Sequence, residues 1–427
     1  MTAPRGEVFW YRGETPGGTP LDRDVSVDAA VVGGGVAGLT CAQHLREGGL
    51  SVVLLEERFC GSGASGKSSG FITPASELDL SDLITKFGMD RARALWGFAE
   101  EGVELIRNNI RDSAIACDYQ VQDSLFVAVN AHGARHAMEE HRGRMRLGYP
   151  STHHRREDLP AVVGSTAFAG AVQYPRTFAI DSYRYCRGMR DAIVDRGVMV
   201  FENTRVGEVR PGEVRAAGRK VSAGHIILCA DRRIPELSPL EDQIGQVQTF
   251  LAISKPLRDD QVRRVFPGEP VMAWDSKVSY NYFRLTGEQR LLVGGADLWH
   301  TYARRERHDP VRNIRGLSEY IVRTFPGLDV SWDYVWPGML GVSKDFLPVA
   351  GTDASIPSLT YIGAAAGLPW AAALGRQLGR SISSGKADAF REFSPYRRAS
   401  GGALLNGVFS RRAALALAHG LVVARRF

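Results

Sequence analysis

No uninterrupted apolar run in these 427 residues reaches the ~18 residues that a membrane-spanning helix requires, so the chain is not expected to cross a bilayer. Cysteine is scarce. Cys41, Cys60, Cys117, Cys186 and Cys229 are odd in number, far apart and without CxxC spacing, which excludes a disulfide framework and a zinc cage and fits a reducing compartment. The excess of one charge is small: 53 Lys and Arg face 47 Asp and Glu, and the net charge of +6 lies partly in a tail bearing Arg411, Arg412, Arg425 and Arg426. Such a balance gives no reason to expect nucleic-acid binding. The opening residues MTAPRGEVFWYRGETPGG contain no basic segment followed by an apolar core, so no secretory signal is expected and the protein is expected in the cytoplasm. Glycine, by contrast, is plentiful at 47 residues against 20 prolines, yet it is spread without a period, which excludes collagen-like and low-complexity chains. With 44% hydrophobic and 23% charged residues the chain is ordinary globular material, with core enough for roughly two to three domains.

The first informative segment is DAAVVGGGVAGLTCAQHLREGGLSVVLLEER. A short run of small and β-branched residues, Asp28 to Val32, predicts a strand, and Gly33, Gly35 and Gly38 then make GxGxxG, with Val36 and Ala37 between them. The following helix is patterned by Leu39, Ala42 and Leu45 and stopped by Gly48 and Gly49. A second strand, Ser51 to Leu55, ends in Glu56, at the spacing where a dinucleotide site places a carboxylate on the adenosine ribose; Glu57 and Arg58 follow. Gly33 permits the tight turn and Gly35 lets the backbone approach the pyrophosphate. Gly38 lets helix and strand pack closely, while the helix N-terminus offers unpaired N–H groups to the anion. Strand, helix, strand and acid in register predict dinucleotide binding.

Gly61 to Ser68, GSGASGKS, also fits the phosphate-binding pattern GxxxxGK[ST], and HIILCAD (His225 to Asp231) resembles a strand ending in a magnesium-binding Asp. A phosphate loop needs a helix opening at the Lys-Ser pair. Here the chain continues SGFITP, and Gly70 and Pro74 forbid that helix. The expectation is instead a loop of small residues, Gly63, Ala64, Ser65, Lys67, Ser68 and Ser69, lying flat against a large planar ligand.

These features together resemble the D-amino-acid oxidase-like superfamily of FAD-dependent oxidoreductases, in pattern closest to the γ-glutamylputrescine oxidase, glycine oxidase and sarcosine oxidase group. The loop GASGKSSG is similar to the family's GASGRNGG and departs from it at Lys67, Ser68 and Ser69. WPGMLGVSKDFLPVAG (Trp336 to Gly351) is similar to the penultimate motif, and YIGAAAGLPWAAALGRQLG (Tyr361 to Gly379) to the closing strand, loop and helix. The resemblance runs from about Phe9 to Asp388. It implies an α/β fold: a Rossmann-like FAD-binding domain of the glutathione-reductase type with an inserted antiparallel-sheet substrate domain. The FAD domain is expected over 25–114, 180–238 and 336–390, the substrate domain over 115–179 and 239–335, and a helical tail over 391–427. Beside the GxGxxG unit and small-residue loop, the resemblance implies flavin contacts from Val206, Ala230, Gly338, Gly367, Leu368, Pro369 and Trp370.

Periodicity supplies the elements between. Trp96, Ala99, Val103, Ile106 and Ile110 predict an amphipathic helix, and Ser182 to Arg196 another stopped at Gly197. Ser124 to Val129, Ala167 to Gln173, Met199 to Glu202 and His225 to Ala230 read as strands, and alternation from Gln246 to Asp297 predicts an antiparallel sheet roofing the flavin. In that sheet SYNYFRLTGEQRLLVGGAD puts Tyr280, Tyr282 and Arg284 on one strand face. By the resemblance this face encloses the substrate, and Lys277, Arg284 or Lys67 supplies a cation that stabilises superoxide developing beside the flavin.

Two departures bear on the substrate. Glycine oxidase-like members carry an Arg two residues after the Gly of the penultimate motif to grip a carboxylate, and here Gly338 is followed by Leu340. Sarcosine oxidases carry a Lys in the closing loop, and here Ala371 follows Trp370. The expected substrate is therefore an amine, or an amino acid whose acid group is far from the oxidised carbon. The expected reaction is hydride transfer from that carbon to FAD, giving an imine that hydrolyses, with reoxidation by O2, releasing hydrogen peroxide, or by a quinone. A hydroxy-acid or alcohol dehydrogenase and a non-catalytic FAD-binding protein are the alternatives; flavin monooxygenases are disfavoured because the chain has neither a DG nor a GD dinucleotide. No cysteine lies beyond Cys229, so the FAD is expected to be noncovalent. His132 and His136 share helical spacing without a carboxylate pattern nearby, and no metal is expected. The tail, with Ala413 to Ala424 too short for a bilayer, is expected either to dock on the body or to lie in a membrane interface, the second favouring a quinone.

Overall fold

A computed structural model describes residues 4–13, 17–238, 240, 243–277, 280–295, 306, 309–385 and 391–397. The tail from residue 398 onward lies outside the described residues, and with it the docking or interfacial helix expected there. Among the described residues no helix is long and apolar enough to cross a membrane.

One sheet is built on parallel strands. Its order is β10 (Val206–Arg210), β11 (Glu213–Ala216), β12 (Arg219–Leu228), β1 (Val25–Val32), β2 (Val52–Leu55) and β9 (Met199–Phe201), with β19 (Leu359–Gly363) beside the far half of β12 and β18 (Val349–Thr352) beside β19. β1 and β2 are buried along Ala29–Val32 and Val52–Leu55 because helices cover the sheet, so they read as continuous apolar runs rather than as alternation. Helix α1 (Val36–Glu47) returns from β1 to β2 and packs on α9 (Leu368–Ser384). The two approach closely because Gly375 and Gly379 face the α1 backbone, where a Cβ would stand 2.5 Å from the Ala37 carbonyl oxygen and 2.7 Å from His44 Cβ. Full burial of Leu39, Leu45 and Leu374 in this seam contributes about 1.5–3 kcal/mol each. The long helix α3 (Met89–Asp112), preceded by α2 (Leu80–Phe87), closes over α9 on the same side.

The second sheet is the roof, ordered β17 (Trp332–Ser343), β13 (Ile244–Pro256), β16 (Arg290–Gly295), β15 (Asn281–Leu285), β14 (Val271–Asp275), β5 (Asp123–Ala128), β7 (Gly170–Tyr174) and β6 (Thr152–Arg155). It is antiparallel as expected except at its centre, where β14 and β5 run parallel from Val271↔Asp123 to Asp275↔Val127. That pairing joins distant segments of the chain, Asp123 to Val271, and was invisible to local alternation. Helices α4 (Ala131–Leu147), α7 (Asp259–Val265) and α8 (Pro310–Thr324) connect or cover the roof strands. A small sheet of β3 (Phe71–Ile72), β8 (Phe178–Ala179) and β4 (Gln120–Val121) joins the layers, and α5 (Ser182–Asp195) and α6 (Ile234–Leu237) complete the elements.

Residues 336–343, expected in the FAD domain, belong to the roof, because β17 pairs with β13 from Ser343↔Ile244 to Trp332↔Ser254. The segment Phe9–Tyr11, without a predicted role, is clamped between the layers: Trp10 Nε1 donates to the Ser68 carbonyl at 2.9 Å, and Arg5 Nη1 to Tyr334 Oη at 2.9 Å.

Candidate active site

A cavity of about 850 Å³ runs from the C-terminal ends of β1 and β2 to the underside of the roof. At one end Gly33 and Gly35 meet the N-terminus of α1, which has no acidic residue in its first turn. Gly33 has φ +112°, and a Cβ there would stand 2.5 Å from the Cys229 carbonyl oxygen; one on Gly38 would collide with the Gly33 carbonyl. Both glycines are therefore dictated by sterics. Gly35 differs, since a Cβ would meet only Ser65 Oγ at 3.0 Å, so its bareness leaves the cavity side open to a close approach by a phosphate. Glu56 lines this end. Its Oε2 accepts from Gly34 N at 2.7 Å and its Oε1 from Arg58 N at 3.0 Å and Ser62 Oγ at 3.1 Å, which fixes the carboxylate at the tip of β2. Glu57, Arg58, Val206 and Ala230 line the same end, with Arg233 ion-paired to Glu57.

The loop read from the sequence as lying against a planar ligand does line the cavity through Gly63, Ala64, Ser65, Lys67, Ser68 and Ser69. It forms turns and runs into β3, with no helix opening at Lys67 and Ser68, so it is not a phosphate loop. Three successive carbonyls are held from behind: Lys67 O accepts from Trp336 Nε1 at 3.0 Å, Ser68 O from Trp10 and Ser69 O from Arg284 Nε at 2.7 Å. In a trans peptide the next amide points the opposite way, so this clamp turns the Ser68, Ser69 and Gly70 amides away from those donors. Ser65 Oγ accepts from Val36 N at 3.1 Å, tying the loop to α1. At the opposite side Gly367, with φ +94°, and Leu368 bring the uncapped N-terminus of α9 to the cavity.

The roof supplies Val247, Thr249 and Leu251 of β13, Trp274 of β14, Tyr282 of β15 with the preceding Tyr280, and Gly338 to Val342 of β17. Tyr282 Oη lies 3.5 Å from Thr249 Oγ1, and burial pushes its phenol up to about 12, which keeps it a neutral hydroxyl. Leu340, in the place of a clamping Arg, lines the cavity, as does Ala371.

Six expected contacts fall elsewhere. Arg284 shares the face of Tyr282 but lies past the cavity, fully buried, with Nη1 donating to Leu285 O at 3.0 Å and Nη2 to Ile180 O at 2.8 Å in addition to Ser69 O. Each of its three nitrogens donates to a backbone carbonyl and it does not line the cavity, so it holds the loop rather than a substrate. Lys277 is exposed beyond β14, its Nζ 5.9 Å from the Tyr320 ring on the outer side of the roof. Of the three candidate cations Lys67 alone lines the cavity, paired with Glu306 at 2.8 Å. Trp370 turns into the core, its Nε1 on Pro74 O at 3.1 Å and its ring 5.9 Å from Phe98. Pro369 backs against Gly102 of α3. Val36 and Gly38 shape α1 without lining the cavity.

Sequence reasoning missed Phe71, Trp274, Thr249 and above all Glu77, which accepts from Tyr280 Oη at 3.2 Å. Alternation along β13 and β14 points to Thr249 and Trp274. Nothing local marks Glu77, which reaches the roof from a loop 203 residues away. His136 also gains carboxylate neighbours the sequence did not show: its Nε2 lies 3.1 Å from Asp79 Oδ2, with Asp82 beside it. Asp79 and Asp82 form the capping box of α2, which accounts for their placement.

Comparison with known proteins agrees with this geometry. The family model described as FAD dependent oxidoreductase matches residues 28–380, and the chain belongs to that family. It is 31% identical over 343 residues to gamma-glutamylputrescine oxidoreductase of Escherichia coli K12, covering 78% of each chain. It is 27% identical over 344 residues to a probable oxidoreductase, OrdL, of Haemophilus influenzae, covering 78% of this chain and 77% of that one. Among solved structures, glycine oxidase from Geobacillus kaustophilus superposes with a TM-score of 0.74 at 17% identity, over 88% of this chain and 99% of the other. L-proline dehydrogenase from P. horikoshii gives the same TM-score and identity over 88% and 98%. The protein is thus an FAD-dependent oxidoreductase of mixed α/β fold, and the bare Gly35, the open α1 N-terminus and Glu56 fit the dinucleotide.

Proposed function

We propose that the enzyme oxidises the C–N bond of an amine, or of an amino acid whose carboxylate is far from the reacting carbon. The observation that carries this reading is the cavity lining: aromatic Tyr280, Tyr282 and Trp274 of the roof, with Leu340 of β17 and Ala371 of α9 where a carboxylate clamp would stand. The relatives' names add to it, since gamma-glutamylputrescine oxidoreductase is named for a putrescine derivative and glycine oxidase for an amino acid. When bound, FAD supplies the acceptor for a hydride from the carbon bearing nitrogen.

The chain's own residues orient and enclose. The Lys67–Ser69 loop is held in place against the cavity because Trp336, Trp10 and Arg284 bind its carbonyls, and the N-termini of α1 and α9 favour negative charge at the cavity. Tyr282 and Tyr280 exclude water and present hydroxyls to a substrate amine bound in its neutral form, so no general base is assigned. The imine product leaves and hydrolyses. All five cysteines are buried, and burial raises their thiol pKa values, including that of Cys229 at the cavity wall, so FAD is held noncovalently. Oxygen or a quinone takes the electrons afterwards.

The test is anaerobic flavin bleaching of the purified protein against amines, amino acids and hydroxy acids, followed by air. Bleaching by an amine with rapid recolouring and peroxide release supports an amine oxidase, and recolouring that requires a quinone supports the dehydrogenase form. Bleaching by hydroxy acids alone overturns the reading, and FAD that stays with acid-precipitated protein overturns noncovalent binding.

A further inference from the structure

We propose that Phe346 is a wall of the reaction cavity that limits the bulk of the substrate, and that Arg397, on the segment beyond α9, is the positioning residue that holds it there. The inference goes beyond the amine reading, since it applies to whichever substrate class reduces the flavin. Phe346, in the turn between β17 and β18, lines the cavity. Its backbone sits in the left-handed region at φ +64°. A side chain is disfavoured there and persists only where its surroundings over-determine it, while a glycine would sit at ease. The chain thus keeps a ring at the cavity against local preference.

The turn is pinned on both sides of that ring. Arg397 grips Asp345 with two nitrogens, Nε to Oδ2 at 2.8 Å and Nη2 to Oδ1 at 2.7 Å, and Nη2 also donates to Leu347 O at 2.8 Å. Such a bidentate pair fixes orientation as well as distance. Asp345 is buried, and burial alone would raise its carboxyl, yet the bonds from Arg397 and Ser343 hold it below the ordinary value. Arg397 is itself anchored, because its Nη1 donates to Phe393 O at 2.9 Å and Phe393 is buried against Trp370 of α9. From another side Lys86 of α2 donates to Asp345 O at 2.9 Å, and Phe346 packs on the core that α2 and α9 share. Glu77, just before α2, meets Tyr280 of the roof, so this wall lies under the roof rather than at the Glu56 end.

The experiment uses the full-length holoenzyme and two readouts. Anaerobic flavin reduction is compared between a straight-chain and a phenyl-bearing substrate: butylamine and benzylamine, or 2-hydroxybutanoate and mandelate if hydroxy acids alone bleach the flavin. Phe346→Gly is expected to raise the phenyl-to-alkyl ratio of specificity constants at least ~10-fold. Arg397→Met is expected to raise it about 3-fold or more in the wild-type background and to leave it unchanged beside Phe346→Gly, because Arg397 acts through the ring. Arg397→Lys, which keeps the charge without the fork, is expected to fall between. Thermal unfolding is the second readout. Phe346→Gly is expected to melt above Phe346→Ala, the reverse of the usual order, and Arg397→Met to narrow the gap. A ratio unmoved by Phe346→Gly overturns the wall, and Arg397→Met that melts lower with an unmoved ratio overturns the positioning role. Phe346→Gly melting below Phe346→Ala overturns the held conformation. Bleaching by hydroxy acids alone overturns the amine reading and leaves this proposal to be read from mandelate. If Arg397→Met does not fold, Arg397→Lys reads the same ratio.

Discussion

Arg284 donates from Nε to the carbonyl oxygen of Ser69 at 2.7 Å, and this bond carries the roof sheet onto the loop that lines the cofactor cavity. Burial pulls its guanidinium down to about 10, so it remains a cation at neutral pH. A buried charge of this kind is worth its desolvation only because three carbonyls share it.

Arg284→Met is expected to leave those three acceptors unpaired at about 1–3 kcal/mol each, lowering the thermal midpoint and loosening FAD together. Arg284→Lys, which keeps charge but not the fork, is expected to fall between. Thermal unfolding with and without added FAD, and the flavin-to-protein absorbance ratio, check this. A stable Met variant with full flavin would show that the clamp is dispensable.

Gly35→Val places its Cβ against the movable Ser65 hydroxyl rather than backbone. The expected product is a folded protein with wild-type far-UV dichroism and flavin occupancy reduced at least ~10-fold, because bulk at Gly35 blocks the phosphate approach. Full occupancy would mean that the cofactor passes elsewhere.

Leu340→Arg puts a guanidinium in the cavity where the glycine oxidase-like pattern has one. Turnover of glycine or proline relative to butylamine is expected to rise by about tenfold or more, through bidentate pairing with the α-carboxylate. Steady-state kinetics on the three substrates measure the ratio; an unchanged ratio argues that Leu340 lies outside substrate reach.

Lys67→Met tests the acceptor. The expected effect is slower recolouring of the reduced enzyme by oxygen, about tenfold, with anaerobic reduction by substrate altered less. Stopped-flow measurement of the two half-reactions separates them, and an oxidative half-reaction indifferent to the change points to a quinone.

Asp181 gives a pH dependence whose sign is fixed. Burial raises its carboxyl to about 6 although the Tyr183 and Arg184 amides donate to it at the head of α5. The folded chain therefore holds this proton more tightly than the unfolded one. The resulting stabilisation is complete below the ordinary carboxyl range near pH 4 and is withdrawn as pH rises through 6, by up to about 3 kcal/mol. Asp181→Asn keeps the cap and removes the titration, so its thermal midpoint is expected to match the wild type near pH 4 and exceed it by a few degrees at pH 8. Parallel midpoint curves from pH 4 to 8 would contradict it.

The FAD domain was legible because its signals are local. The turn at Gly33, the helix behind Gly38 and the acid at Glu56 lie within one βαβ unit, and each is forced by a close backbone approach or an anion nearby. Strand β15 was legible by alternation, and its Tyr282 lines the cavity with the preceding Tyr280. Alternation gives a face but not how far along the strand the cavity extends, and so it assigned Arg284 to a substrate it does not reach. Lys277 was a candidate through the resemblance and not through alternation, and the chain leaves the strand direction after Asp275, which carries it away from the cavity. Glu77 and the β5–β14 pairing depend on contacts between distant segments, on which a single sequence has no purchase.

The aromatic strap at Phe9–Tyr11 bears on assembly. Arg5, just before the strap, meets Tyr334 across 329 residues and Trp10 meets Ser68 across 58, so the complete set of contacts at this end requires β17 in place. Loop-closure entropy of that span has to be overcome before the strap's contacts repay it. The loop that Trp10 braces also draws on Trp336 and Arg284 from the roof, so a chain lacking those distant segments would own a finished βαβ unit but no rigid seat for a flavin ring.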